Sequence, residues 1–216
     1  MVELFSRDFG RIAAVAKGAR RPRSAMRGML QSFQPLLGTW SGKNELRTLH
    51  SLEWGEGLLL LQGQALMCGF YMNELLLRLL PREDAHESLF DYYAATLRQL
   101  TRPGDNPMTL RRFEMHMLQE MGYAVPLSHD EQGQPIEQER MYFYIPERGA
   151  CALPANHTQQ NGVQLSGKTL LDMAQDDYAE LQTQQQSKQL MRVLLGHYLG
   201  EKPLHTRQLL MDLQQL

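Results

Sequence analysis

The chain has 216 residues, 43% of them hydrophobic and 21% charged, a composition that supports a real core and excludes a low-complexity or disordered chain. Cys68 and Cys151 are its only cysteines, too few for a disulfide framework, so a reducing cytoplasmic setting is expected. The net charge of −2 conceals an imbalance: residues 1–50 hold nine Lys/Arg against three Asp/Glu, a balance of +6, which leaves −8 for the remainder. A basic part joined to an acidic part points to polyanion contact by the first alone.

The start, MVELFSRDFG, lacks the charged and apolar regions of a signal peptide. Val2 to Phe5 and Arg11 to Lys17 read as strands around a turn at Arg7–Gly10. Gly18 and Pro22 forbid a continuous helix over the basic segment that follows, so Lys17, Arg20, Arg21, Arg23 and Arg27 are placed on an exposed loop. Clustered guanidiniums match phosphate oxygens bidentately; a solvated, positively charged turn is the competing account. Phe33 to Trp40 and Glu45 to Trp54 continue the extended pattern across a turn at Ser41–Asn44. Gly55-Glu56-Gly57 breaks it and divides the chain into residues 1–57 and 58–216.

Beyond the break the period becomes helical. Leu59 to Leu80 is a long helix ended by Pro81; its Gln62, Gln64, Asn73, Glu74 and Arg78 exclude a membrane span. Glu87 to Leu100 is a second helix, and Thr101 to Pro107, with its two prolines and a glycine, is a loop. Thr109 to Met121 is a third, with Gly122 at the C′ position. An insertion at about 124–161 is rich in Gln, Pro and Gly, with strands expected at Arg140–Ile145 and Ala150–Leu153. Helices resume at Lys168–Ala174, from roughly Tyr178 to Leu199, and from Thr206 onward. The expected class is therefore α+β, a small β domain followed by a helical domain carrying a β insertion.

Gly162 to Thr169 satisfies the phosphate-loop pattern G-x-x-x-x-G-K-[ST]. A working phosphate loop follows a buried strand, whereas His157–Asn161 is polar and only helices follow downstream; Ser166 as a helix cap is the better account. His129, Cys151 and His157 lack the paired spacing of a zinc site, so no metal or other cofactor is expected. With no nucleophile elbow either, the chain does not read as an enzyme. Arg111 and Arg112 open the third helix beside Phe113, Met117 and Leu118. They read either as helix-surface arginines or as the cationic lip of an apolar groove suited to an acidic, hydrophobic peptide. Trp40 and Trp54 are core or interface residues, or platforms for a nucleobase.

Five stretches in order carry a family resemblance: the basic VAKGAR segment, LQSFQPLLGTWSGKNELRTL, GFYMNELLLRLL, LRRFEMHMLQEMGY and HYLGEKPLHTRQLL. Together the chain resembles RecO, the bacterial recombination-mediator family. The resemblance implies an N-terminal oligonucleotide/oligosaccharide-binding (OB) barrel and a helical C-terminal domain. It implies a non-enzymatic protein that binds single- and double-stranded DNA, anneals complementary strands and, with RecR, places RecA on DNA covered by single-stranded DNA-binding protein. By position, Lys17, Arg20, Arg21, Arg23 and Arg27 match the family's basic OB surface. Arg111 matches the arginine that helps hold the acidic C-terminal tail of single-stranded DNA-binding protein. The chain departs from the family in two ways. Val2 to Phe5 match the family's second strand, so the barrel is expected to lack its first. Only Cys151 stands where many relatives have four zinc-binding cysteines. A protein-binding helical adaptor and a P-loop nucleotide binder through Gly162–Thr169 are the rival classes.

Overall fold

The computed structural model describes residues 1–43, 45–55, 57–104, 106–123, 125–153, 161–200 and 202–213. Contacts divide the chain into two compact units, Met1–Asn106 with Leu204–Leu216, and Pro107–Pro203.

The first unit is built on β1 (Val2–Ser6), β2 (Gly10–Ala16), β3 (Leu36–Ser41) and β4 (Leu46–Trp54), in spatial order β1-β2-β4-β3. β1–β2 and β3–β4 are antiparallel, and β2–β4 is parallel, with Ala13 opposite Leu46. The class is α+β, as expected; among the described residues these strands form an open mixed sheet, consistent with an OB-like fold but not closed into a barrel. β1 and β3 are its edges. A short helix, α1 (Ala25–Met29), interrupts the segment expected to be loop. Its Met26 and Met29, with Leu30, pack against buried Ala14, Leu49 and Leu52 of the sheet. That spacing of three and four residues makes a narrow apolar stripe, enough to hold one helical turn against a sheet.

α2 (Gly63–Leu79) and α3 (Glu87–Leu100) follow. α2 begins four residues later than the sequence suggests because Gln34 holds Leu59 extended. Its Nε2 donates to the Leu59 carbonyl at 2.9 Å, and its Oε1 accepts from the Leu59 amide at 3.3 Å. The last helix, α7 (His205–Leu213), returns to this unit. The Glu74 carboxylate of α2 receives the His205 amide at 2.7 Å, the Thr206 amide at 2.9 Å and the Thr206 hydroxyl at 2.7 Å. A side chain remote in sequence thus satisfies the first orphan donors of a helix. Burial alone would push the Glu74 carboxyl up, but these donors draw it below the usual carboxylate range.

The second unit begins with α4 (Asn106–Glu120), which starts earlier than expected because Pro107 sits in its first turn, where the missing N–H costs nothing. Its end is as expected: Gly122 has φ +78°, and Tyr123 N donates to Leu118 O at 2.9 Å. A three-stranded antiparallel sheet, order β6-β5-β7, comprises β5 (Met141–Ile145), β6 (Gly149–Ala152) and β7 (Val163–Ser166). α5 (Gly167–Ala174) and α6 (Leu181–Leu199) complete the unit. α6 starts after Tyr178 because Asp177 folds onto the chain, accepting from Ala179 N at 2.9 Å. No described helix is long and apolar enough to cross a membrane.

Candidate nucleic-acid interface

The basic segment is held at both ends. β2 pairs on both sides, and its Ile12, Ala13 and Ala14 are buried, so the strand that delivers the segment is fixed. After Ala16 the chain makes linked turns. Ala19 N donates to Ala16 O at 3.3 Å, Arg21 N to Gly18 O at 3.0 Å, Ser24 N to Arg21 O at 3.0 Å and Arg27 N to Ser24 O at 3.1 Å. Gly18 takes φ +76°, a conformation costly for any residue with a side chain. The apolar face of α1 then anchors the far end on the sheet.

Lys17, Arg20, Arg21, Arg23 and Arg27 are all exposed on this frame. None makes an ion pair or a side-chain hydrogen bond with the described residues. Other cations of the same unit are engaged. Arg7 bonds Asp91 at 3.0 Å and Glu87 at 2.9 Å, holding the Asp91 carboxyl below its usual range. Arg47 bonds Glu83 at 2.6 Å, Arg82 pairs with Glu3, and Arg11 donates to the Leu77 carbonyl. The excess of +6 is thus partly neutralised by carboxylates at 83–91, and the unpaired charge is concentrated between 17 and 27. Like charges crowded without counter-charges repel, an arrangement that an anionic partner relieves.

The two tryptophans differ in role. Trp40 packs edge-on against Phe9, centroids 5.4 Å apart, and belongs to the sheet's apolar cluster. Trp54, at the end of β4, is 47% exposed.

Arg111 lies on α4 and is only partly exposed. Its NH2 group donates to Oε1 of the fully buried Glu114 at 2.7 Å. Arg112 Nε donates to both oxygens of the Asp176 carboxylate at 2.8 and 2.9 Å, its NH2 group donates to the Asp176 carbonyl at 3.2 Å, and the guanidinium lies over the Tyr178 ring at 5.3 Å. The first arginine is therefore anchored by a buried carboxylate and the second by a surface clamp.

The phosphate-loop pattern does not form a phosphate loop. Its residues are β7 followed directly by α5, and β7 pairs antiparallel with β5. Ser166 Oγ accepts from Thr169 N at 3.1 Å, capping α5 as expected. Thr169 is buried and bonds Gln186 at 2.7 Å. Lys168 is engaged by Asp172 at 2.9 Å and Glu180 at 3.1 Å. Cys151 is buried, and burial first, then its bond with Glu131, pushes the thiol up to about 11, which disfavours the thiolate a metal requires. Among the described residues no His/Cys/Asp/Glu cluster could hold a metal; His157 lies outside them.

Two further exposed cations stand out in the second unit. Lys188 and Arg192 lie one turn apart on α6, without ion-pair partners among the described residues. The available signal was the complete absence of Asp and Glu from Leu181 to Leu199, in the acidic part of the chain.

Comparison with known proteins agrees with this architecture. The family model for the N-terminal part of recombination protein O matches residues 1–57, and that for its C-terminal part matches residues 60–208. The DNA repair protein RecO of Nitrosospira multiformis is 57% identical over all of this chain and 89% of its own length. That of Aromatoleum aromaticum is 51% identical, with 90% of its length covered, and that of Burkholderia pseudomallei is 49% identical, with 78% covered. At this identity and coverage, the chain belongs to the RecO family of DNA repair and recombination proteins.

Proposed function

We propose that this chain is a non-enzymatic recombination mediator whose residues 1–57 bind single- and double-stranded DNA through Lys17, Arg20, Arg21, Arg23 and Arg27. It anneals complementary strands and, with RecR, helps load RecA onto DNA coated by single-stranded DNA-binding protein, in the cytoplasm. The observation that carries this reading is the set of five exposed cations, without ion-pair partners among the described residues, on a segment tied at both ends to a sheet. Two complementary strands repel through their phosphates over about 10 Å at 0.1 M salt. A cationic surface that neutralises phosphates of both strands lowers that repulsion, so bases meet and pair without a chemical step.

If five single-strand phosphates are neutralised, log K falls with log salt at a slope of roughly −3.5. Titrations between 50 and 200 mM salt measure this, and a slope near zero overturns the reading. In a fluorescence-quenching assay with complementary oligonucleotides, the protein accelerates annealing; a protein-binding adaptor leaves the spontaneous rate unchanged.

Arg111 is assigned to the acidic C-terminal tail of single-stranded DNA-binding protein. An incoming carboxylate competes there with Glu114, so Arg111→Ala would also disturb a buried carboxylate. Arg111→Lys keeps the charge but loses the planar fork. An acidic peptide ending in Phe is expected to bind Arg111→Lys several-fold more weakly, by calorimetry, with thermal stability near wild type. Equal affinity removes Arg111 from the site.

A further inference from the structure

We propose that the open depression between α1 and β4 is a receptor for one unstacked nucleobase of a single strand whose phosphates lie on the neighbouring arginines. It measures about 460 Å³ and is lined by Ala25, Gly28, Met29, Leu52, Glu53 and Trp54. This volume falls within the roughly 300–1,000 Å³ of small-ligand sites. The inference rests on the DNA-binding reading above and adds to it a means of telling single strands from duplex.

Four observations specify the occupant. First, Trp54 leaves nearly half its surface uncovered in the same depression as the apolar Leu52 and Met29, while Trp40 is committed to Phe9 and the sheet. An exposed indole is the side chain best suited to stack on a base of any sequence. Second, Gly28 stands on the opposite wall, and a Cβ built there meets no atom within 4 Å. Glycine costs roughly 1 kcal/mol against alanine inside a helix, and the backbone conformation here does not require it. The position keeps a gap open. Third, α1 carries both the wall and a cation without a partner among the described residues: Arg27 precedes Gly28, and Arg23 lies just before the helix. Consecutive groups of a nucleic acid strand, phosphate and base, would meet consecutive groups of this helix. Fourth, no cation is among the residues lining the depression, so it offers a phosphate no partner and is left to a neutral ring. In a duplex the bases are stacked and paired, so only a single strand can fill it.

The test exploits Gly28, where a larger side chain plugs the depression without straining the helix. In Trp40→Phe protein, Trp54 is the sole tryptophan, and its emission is expected to fall when oligothymidine binds. An abasic oligomer of equal length should bind more weakly and leave the emission unchanged. Adding Gly28→Leu should suppress the quenching and lower oligothymidine affinity about tenfold. Duplex affinity, salt slope and melting temperature should stay unchanged. Trp54→Ala should reproduce the selective affinity loss. The proposal is overturned if Gly28→Leu retains full quenching and affinity, or if the abasic oligomer binds as tightly as oligothymidine. Either result with DNA binding intact removes the base site alone; failure of the wild-type protein to bind any oligomer removes the DNA-binding reading with it.

Discussion

Replacing Arg20, Arg21 and Arg23 together by alanine should weaken binding to single-stranded DNA about a hundredfold at 0.1 M salt. Each single-strand phosphate contact adds roughly 0.7 to the salt slope, hence about 0.7 logarithmic units of affinity at a tenth-molar ionic strength. Three contacts give about two units, and the slope should fall from roughly −3.5 to −1.4. On duplex the charge density is higher, so the same variant should lose somewhat more. The fold should survive, because these side chains are exposed and make no ion pair or side-chain hydrogen bond with the described residues. The turns that shape the segment use backbone groups, and the anchoring residues are Met26, Met29 and Leu30. A control at Arg7 should behave in the opposite way. Arg7 is bound by Asp91 and Glu87, so Arg7→Ala is expected to leave the salt slope unchanged. Unchanged affinity in the triple variant would remove the basic segment from the DNA-binding surface.

The second large effect is on stability. Gly167→Ala should lower the melting temperature of the second unit by about 10–20 °C. A Cβ at Gly167 would lie 1.9 Å from the Glu137 carbonyl oxygen and 2.9 Å from its carbon, both backbone atoms that cannot rotate away. The same segment is bound to the start of α5: Gly167 N donates to Arg140 O at 2.7 Å, and Lys168 N to Gln138 O at 3.0 Å. Relieving the clash would break these bonds. Gly162 is similarly confined, with Phe143 and the Tyr144 carbonyl 2.6 Å from its would-be Cβ. Lys168→Ala, by contrast, removes a part-buried ion pair with Asp172, whose carboxylate keeps the Thr183 hydroxyl, and a more exposed one with Glu180, without any backbone clash, and should lower the transition less. In a phosphate loop the lysine is the functional member. Here the glycines are the structural ones, required by close backbone approach. Melting curves monitored by circular dichroism for both variants decide the matter; a larger loss from Lys168→Ala would overturn this account.

Most regular elements were legible because apolar periodicity and turn residues announced them. α1 was not, since Gly18, Pro22 and the arginines dominate its neighbourhood; the spacing of Met26, Met29 and Leu30 was the quieter signal. β7 was obscured by the very motif it lies in, although Val163 and Leu165 alternate as a strand should. The cluster of charge was legible too, but not which arginines are free. Arg7 and Arg47 look in sequence like Arg20 and Arg21, and their partners, Asp91 and Glu83, come from α3 and the loop before it. Ion pairing across such separations is set by tertiary structure. For the same reason Arg112 could not be matched to Asp176.

The clamp of Glu74 on the start of α7 bears on how the protein is made. The unit that carries the basic segment is discontinuous: it includes Met1–Asn106 but also the helix after Pro203. A nascent chain presents its sheet, α2 and α3 early, with Glu74 still awaiting its donors. At ordinary rates of translation, about 5 to 20 s pass before His205 and Thr206 are synthesised. During that interval the whole of the second unit is synthesised between the two pieces of the first, and Glu74 gains its donors only when the start of α7 appears.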